Sequence, residues 1–318
     1  MPVSMEMLDG GVGLVTLSPE ASRNTFSKQN FTAILATLET LLANEKCSSV
    51  VLTGSGRFFS AGGNIEDFSK GIKEGNIGNI VKEMTDKLHP LLQKIRTSET
   101  VFICAINGSA AGGGLGLALS CDYRIGTRKT QFRFPETNIG IFPGLGGTQR
   151  PARIAGLPAA RWAVLAGNFM DARTAADLGL VTDLVDVTEV DSTISSLDSK
   201  GKPAEKYPAT PVNPESKIAK FANSFYSDEN MDTLLNGGCP DGFDPEDKLV
   251  SRQLKSLSRT APIALRMASD LIDAAGTTEL MTGLGQELDN LEAIFSTNDA
   301  LEGLSALIEG RKPTYQNS

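Results

Sequence analysis

An α/β fold followed by a helical region is what the 318-residue chain predicts, and three observations carry that reading. The segments SVVLTGSGRFFSAGGNIEDF and VFICAINGSAAGGGLGLALS each run from strand through small-residue turn to helix. This weak internal repeat is the pattern of a stacked ββα solenoid. The strands inside these units are short apolar runs that punctuation by glycine brings to an end. Composition then shifts after Asp186, and the later apolar spacing is helical. The division expected is a spiral core over 1–186, a polar Pro-rich linker and insertion over 187–245, and a helical region over 246–318.

Taken in order, Val12 to Leu17 is a short strand. Lys28 to Asn44 follows as a helix, with Phe31, Ile34, Leu35, Leu38, Leu41 and Leu42 at helical spacing. Ser49 to Thr53 is a buried strand ended by Gly54-Ser55-Gly56. Asn64 to Ser69 is a short helix, and Ile77 to Ile95 a longer one with Ile80, Met84, Leu88, Leu91, Leu92 and Ile95 on one face. Val101 to Ile106 is a second buried strand, Asn107 to Ala111 a turn, and Gly112 to Ser120 a glycine-rich helix. Thr130 to Phe134 is a further strand leading into Pro135-Glu136. Pro203, Pro208, Pro211 and Pro214 mark an extended segment between Lys202 and Pro214. Helices are expected over Pro262 to Ala275, Thr278 to Ser296 and Asn298 to Glu309. In the second of these, Thr278, Met281, Leu284, Leu288, Leu291 and Phe295 form an apolar stripe that must pack on the chain's own core or on another subunit.

Charge and composition exclude several function classes. Thirty Lys and Arg against 38 Asp and Glu leave a net charge of −8, and the sequence pI is near 4.9. A broad nucleic-acid surface would need clustered excess positive charge, so no nucleic-acid partner is expected. A small anionic ligand stays open, because a few local cations and helix N-termini suffice to hold one. With one His and no C-x-x-C spacing among Cys47, Cys104, Cys121 and Cys239, no metal site is expected, and the cysteines read as free thiols. No serine-hydrolase elbow, P-loop or dinucleotide fingerprint is present. The N-terminal stretch lacks a basic and apolar leader pattern, and no apolar run approaches the ~18 residues of a membrane span. A cytoplasmic protein without a membrane partner is the expectation.

Two features could carry chemistry. Gly62-Gly63-Asn64 and Gly112-Gly113-Gly114 each stand where a helix begins, so their backbone N–H groups have no partner inside the helix. Two such donors converging on one point would form an oxyanion hole; the same glycines would equally serve tight turns and close packing. Glu136 follows a proline among Phe132, Phe134, Ile139, Ile141 and Phe142. A carboxylate desolvated there would have a raised pKa and could exchange protons near neutral pH, whereas a solvated one would be an ordinary turn residue.

Several motifs in one order resemble the enoyl-CoA hydratase/isomerase (crotonase) family: FFSAGGNIEDF, AINGSAAGGGLGLALSCDYRIG, FPETNIGIFPGLGGTQR, then Asp171 to Val181, Thr260 to Arg266, and Asp299 to Pro313. The resemblance spans nearly the whole chain. It implies a crotonase-like spiral of ββα turns with a helical C-terminal trimerisation region, assembling as a homotrimer or hexamer. It implies that Gly63 and Gly113 supply the oxyanion-hole amides and Glu136 the acid/base. Coenzyme A, as part of the acyl-CoA substrate and not as a separate cofactor, would run past Ser22, Arg23 and Asn24 and along Gly63, Asn64 and Ile65, with Gly113 at its thioester.

The sequence also departs from the family. Hydratases carry a second glutamate at the position of Gly116, and hydration is a task that two carboxylates share. One carboxylate is sufficient to move a proton between C4 and C2, which favours a Δ3-Δ2-enoyl-CoA isomerase or a single-glutamate hydratase in the breakdown of fatty or related acyl chains. The insertion and the segment Leu254 to Arg259 resemble 3-hydroxyisobutyryl-CoA hydrolase, making thioester hydrolysis an alternative. That branch has an aspartate after F-P, where Gly144 stands here. A non-catalytic acyl-CoA binder is the third reading. Asp67, Glu66 and His89 are possible stand-ins for the missing carboxylate, each also explained by a helix-terminal or packing role. Arg311-Lys312-Pro313 resembles a tail that meets CoA phosphates of a neighbouring subunit, with Gly310 in place of one lysine.

Overall fold

The computed structural model describes residues 3–204 and 213–318, and two sheets organise its N-terminal part. Strands β1 (Val3–Met7), β2 (Val12–Leu17), β3 (Ser49–Gly54), β5 (Val101–Ile106), β7 (Tyr123–Gly126) and β10 (Asp183–Leu184) form a sheet in the order β1-β2-β3-β5-β7-β10. Strands β4 (Phe58–Ser60), β6 (Ser109–Ala111), β8 (Gln131–Arg133) and β9 (Met170–Asp171) form a smaller one in the order β4-β6-β8-β9. From β3 to β8, successive strands thus alternate between the large sheet and the small one. β2, β3, β5, β7 and β10 run parallel, as do β4, β6 and β8, while β1 and β9 pair antiparallel at the ends. This is the spiral of ββα turns that the repeat implied.

Burial explains why the strands read as apolar runs. Val50, Leu52, Phe102 and Cys104 face a core that also takes up α1 (Lys28–Leu42) and α3 (Ile77–Thr97). Val51, Val101, Ile103 and Ile125 point the other way and are covered by Leu197 of α8 (Val190–Lys200). Strands covered on both faces have no polar alternation to show. Between these elements lie α2 (Ile65–Lys73) and α4 (Gly113–Ala118), then α5 (Arg150–Ala155), α6 (Leu157–Leu165) and α7 (Ala172–Asp177). The segment expected to be a turn, Asn107 to Ala111, contains β6. Three residues are too short a run to show a strand period.

After Asp186 the described chain is largely helical. Besides α8 there are α9 (Lys217–Phe225), α10 (Asp228–Leu235) and α11 (Lys248–Leu257). Phe225 of α9 is fully buried and stacks edge-on against Phe243. Lys202, at the start of the proline-marked segment, donates to the Ile95 carbonyl at 2.8 Å. Pro208 and Pro211 lie outside the described residues. The last three helices, α12 (Pro262–Ala274), α13 (Leu280–Phe295) and α14 (Asn298–Glu309), begin and end within two residues of expectation. The stripe on α13 packs on α3 of the same chain: Leu284, Leu291 and Phe295 are buried, and Met281 at its edge is 43% exposed. No helix among the described residues is long and apolar enough to cross a membrane.

Candidate active site

The two glycine turns meet. Gly62 has φ +82° and Gly112 φ +53°, backbone that a side chain would strain. A Cβ on Gly62 would stand 2.8 Å from the Ala111 carbonyl and 3.0 Å from the Gly113 nitrogen, so the first turn lies directly on the second. Phe26 donates to the Gly62 carbonyl at 2.7 Å and bridges to Gly63, tying the N-terminal segment to this junction. Among the described residues neither the Gly63 nor the Gly113 N–H donates to another protein group. Both line a cavity of about 690 Å³. Its other walls are mostly apolar, with Phe26, Phe68, Met84, Phe142, Leu145 and Phe295 among them, and Arg23, Asp67 and Arg133 add charged groups.

Glu136 opens a short turn after Pro135 and reaches into this cavity while remaining buried. A Cβ on Gly112 would lie 2.7 Å from its Oε1, and its Oε2 is buried with no hydrogen-bond partner in the described protein. Loss of hydration dominates its ionisation and pushes its pKa up to about 8; the Glu287 charge adds to the rise, and the Arg133 charge opposes it. Arg133 is held in place by donating from Nε to the Gly167 carbonyl at 2.7 Å and from Nη2 to Asn138 Oδ1 at 3.0 Å. Its guanidinium lies over the exposed Phe169 ring at 4.7 Å.

Of the residues expected along the ligand, Ser22, Arg23, Gly63, Asn64 and Gly113 line the cavity, and Asn24 does not. The Asn24 side chain is buried and donates to the carbonyls of Ser55, Phe58 and Phe59. It braces the left-handed backbone of Arg23 and Asn24 against the β3–β4 turn. Asn64 caps α2 by accepting from the Asp67 N–H at 3.0 Å. Ile65 is the first residue of that helix.

The possible second acids fall to other tasks. Asp67 lines the cavity, and its carboxylate accepts from the Lys28 N–H at 2.8 Å, at the start of α1. Glu66 also lines the cavity, from an exposed position on the first turn of α2. His89 is buried on α3 and absent from the cavity wall. Burial, then the Arg150 charge, lowers its pKa to about 4, so it is neutral. Arg311 pairs with Glu302 and Glu309 of its own chain. Gly116 is buried away from the cavity, where a Cβ would press on the Leu145 carbonyl at 2.7 Å.

The sequence reading missed Glu287 on α13. It is fully buried, and its carboxylate accepts from the Gly146 N–H at 2.7 Å, the Thr148 N–H at 3.1 Å and the Thr148 hydroxyl at 2.5 Å. Burial raises its pKa to about 7 against the lowering effect of those bonds. Its sequence signal is a carboxylate on the apolar face of a helix, one turn from Leu284 and Leu291.

Comparison with known proteins places the chain by family and by fold. The family model described as enoyl-CoA hydratase/isomerase matches residues 12–318. A probable enoyl-CoA hydratase of Bacillus subtilis is 31% identical over 76% of this chain and 90% of its own. An enoyl-CoA isomerase/hydratase of Mycosarcoma maydis is 28% identical over 99% of this chain and 95% of its own. In fold, the chain superimposes on the crystal structure of an enoyl-CoA hydratase from Rhodobacter sphaeroides with a TM-score of 0.82, at 22% identity over 99% of this chain and 92% of that one.

Proposed function

The chain belongs to the enoyl-CoA hydratase/isomerase family, and we propose that within it the protein is a single-carboxylate enoyl-CoA isomerase. The observation that carries this reading is the setting of Glu136. It is the buried carboxylate beside the paired Gly63 and Gly113 amides, and Gly116 contributes no second one.

In this account the thioester oxygen of a 3-enoyl-CoA accepts hydrogen bonds from the Gly63 and Gly113 N–H groups, with CoA leaving past Ser22 and Arg23. Ionised Glu136 removes a proton from C2, and the electron pair moves onto the thioester oxygen as an enolate. The two amides stabilise that charge, each by roughly 3–4 kcal/mol. The same carboxyl then returns the proton at C4, and the double bond moves from C3=C4 to C2=C3. The apolar walls keep water from quenching the enolate and hold Glu136 basic enough to abstract the proton.

Mass spectrometry of a 3-enoyl-CoA and a 2-enoyl-CoA incubated in parallel tests this. Appearance of the conjugated enoyl thioester from the first, with little 3-hydroxyacyl-CoA from the second, is expected. Efficient water addition to the second would establish instead the single-glutamate hydratase, a reading that the hydratase names of many relatives favour. Release of free CoA thiol would mark a hydrolase.

A further inference from the structure

The loop from Phe142 to Gln149 holds one side chain that the proposed proton transfer does not use. In Pro143-Gly144-Leu145-Gly146-Gly147-Thr148, Leu145 is the single large apolar side chain, and the structure fixes the backbone on both sides of it. On one side Arg150 Nη1 donates to the Leu145 carbonyl at 2.9 Å. On the other, Glu287 gathers the Gly146 and Thr148 amides. Even the bare glycines are closed in, since a Cβ on Gly144 would stand 2.9 Å from Leu291 Cδ2. Held this way, Leu145 lines the cavity and lies along one face of α4. A Cβ on Gly113 would stand 2.8 Å from its Cδ1, and a Cβ on Gly116 would stand 3.1 Å from its Cβ. Glu136 therefore flanks the Gly112-Gly113 turn from Gly112, and a leucine flanks it from Gly113.

We propose that Leu145 determines the reaction outcome: it keeps water off the thioester-proximal carbons, so that Glu136 transfers a proton instead of activating water, and Glu287 is the positioning residue that holds it there. The proposal rests on the single-carboxylate reading. Hydration shared by two carboxylates is the faster route, but one carboxylate suffices to complete the proton balance of water addition. Glu136 would take a proton from water as its oxygen bonds to C3, then deliver that proton to C2 as the C2=C3 π bond is consumed. What separates the two outcomes is room for the water. Truncating leucine to alanine removes three carbon atoms, more than the space of one water, whose share of liquid volume is about 30 Å³.

The test measures 3-hydroxyacyl-CoA formed per isomerised product for wild type, Leu145→Ala, Leu145→Met and Glu287→Ala, each checked for folding by circular dichroism. Leu145→Ala is expected to raise the ratio at least ten-fold, and Leu145→Met to keep it within two-fold of wild type. Glu287→Ala is expected to raise it in the same direction, with no further rise in the Leu145→Ala/Glu287→Ala double variant, because both act through one leucine. Should Glu287→Ala fail to fold, the two Leu145 variants decide. A folded Leu145→Ala with an unchanged ratio, beside a wild type that isomerises, overturns this inference alone. A wild type that hydrates and does not isomerise overturns the reading beneath it as well.

Discussion

Oε1 of Glu136 occupies the space in which a side chain on Gly112 would begin, 2.7 Å from the ideal Cβ position. Gly112 also has φ +53°, where only glycine is at ease. One residue thus meets two demands. It turns the chain so that the Gly113 amide opens α4 without a partner, and it leaves the carboxylate beside that amide. The proposed base and the proposed oxyanion donor thus stand on either side of one glycine.

Gly112→Ala should therefore damage both. The added methyl meets Glu136 and strains the turn, at a cost on the order of 1–3 kcal/mol. A fall in kcat of at least ten-fold together with a lowered Tm is expected, measured by steady-state assay and thermal melt. Normal turnover would show that Glu136 is free to move away without consequence.

Burial pushes the pKa of Glu136, the proposed base, up to about 8, and this sets the expected pH dependence. The value of kcat/KM should rise with pH up to about 8 and level off above it, because the carboxylate form abstracts the proton. The Arg133 charge holds that pKa down, so Arg133→Gln should move the rising limb to higher pH. A limb at the same pH in the variant would assign it to another group.

Stability should carry the opposite sign. The folded pKa of Glu136 lies above that of an unfolded glutamate, so the native state keeps a proton that the unfolded state has lost. Its contribution is complete below the unfolded value and disappears as pH rises through about 8. Glu136→Gln should melt at a higher temperature than wild type, and the difference should widen from pH 5 to pH 8 in calorimetric scans. A difference that narrows over that range would contradict the buried, proton-holding carboxylate.

Gly116→Glu is the substitution that would restore the hydratase pattern, and the structure resists it. A Cβ there presses on the Leu145 carbonyl, which Arg150 holds. Overpacking of this kind typically costs 1–3 kcal/mol. The variant should lose stability and gain little hydratase activity, read by thermal melt and by hydration of a 2-enoyl-CoA. A stable, efficient hydratase would mean that the loop yields easily.

Helices were legible wherever an apolar face is long enough to repeat, as along Ile77 to Ile95, and Glu136 was legible from its apolar neighbours and the family motif around it. The three-residue strands β4 and β6 were not, because pairing with distant strands makes them, not their own pattern. Glu287 and Gly146 lie 141 residues apart, so the clamp on the Leu145 loop exists only once α13 is docked. The Arg133 charge that acts on Glu136 is likewise a product of folding, since Gly167 and Asn138 fix where its guanidinium lies.

In the proposed reaction Glu136 performs the proton transfer, and Glu136→Gln is the sharpest probe of that role. The amide keeps the shape of the side chain and removes the base, so the loss should fall on kcat while acyl-CoA binding, followed by calorimetry, stays within a few-fold. General acid–base groups contribute ~10²–10⁴ in rate, and a fall of at least ~10² is the expected result. A well-folded variant that binds acyl-CoA and keeps more than about a tenth of wild-type turnover would contradict it, and the proton would have to move through another residue.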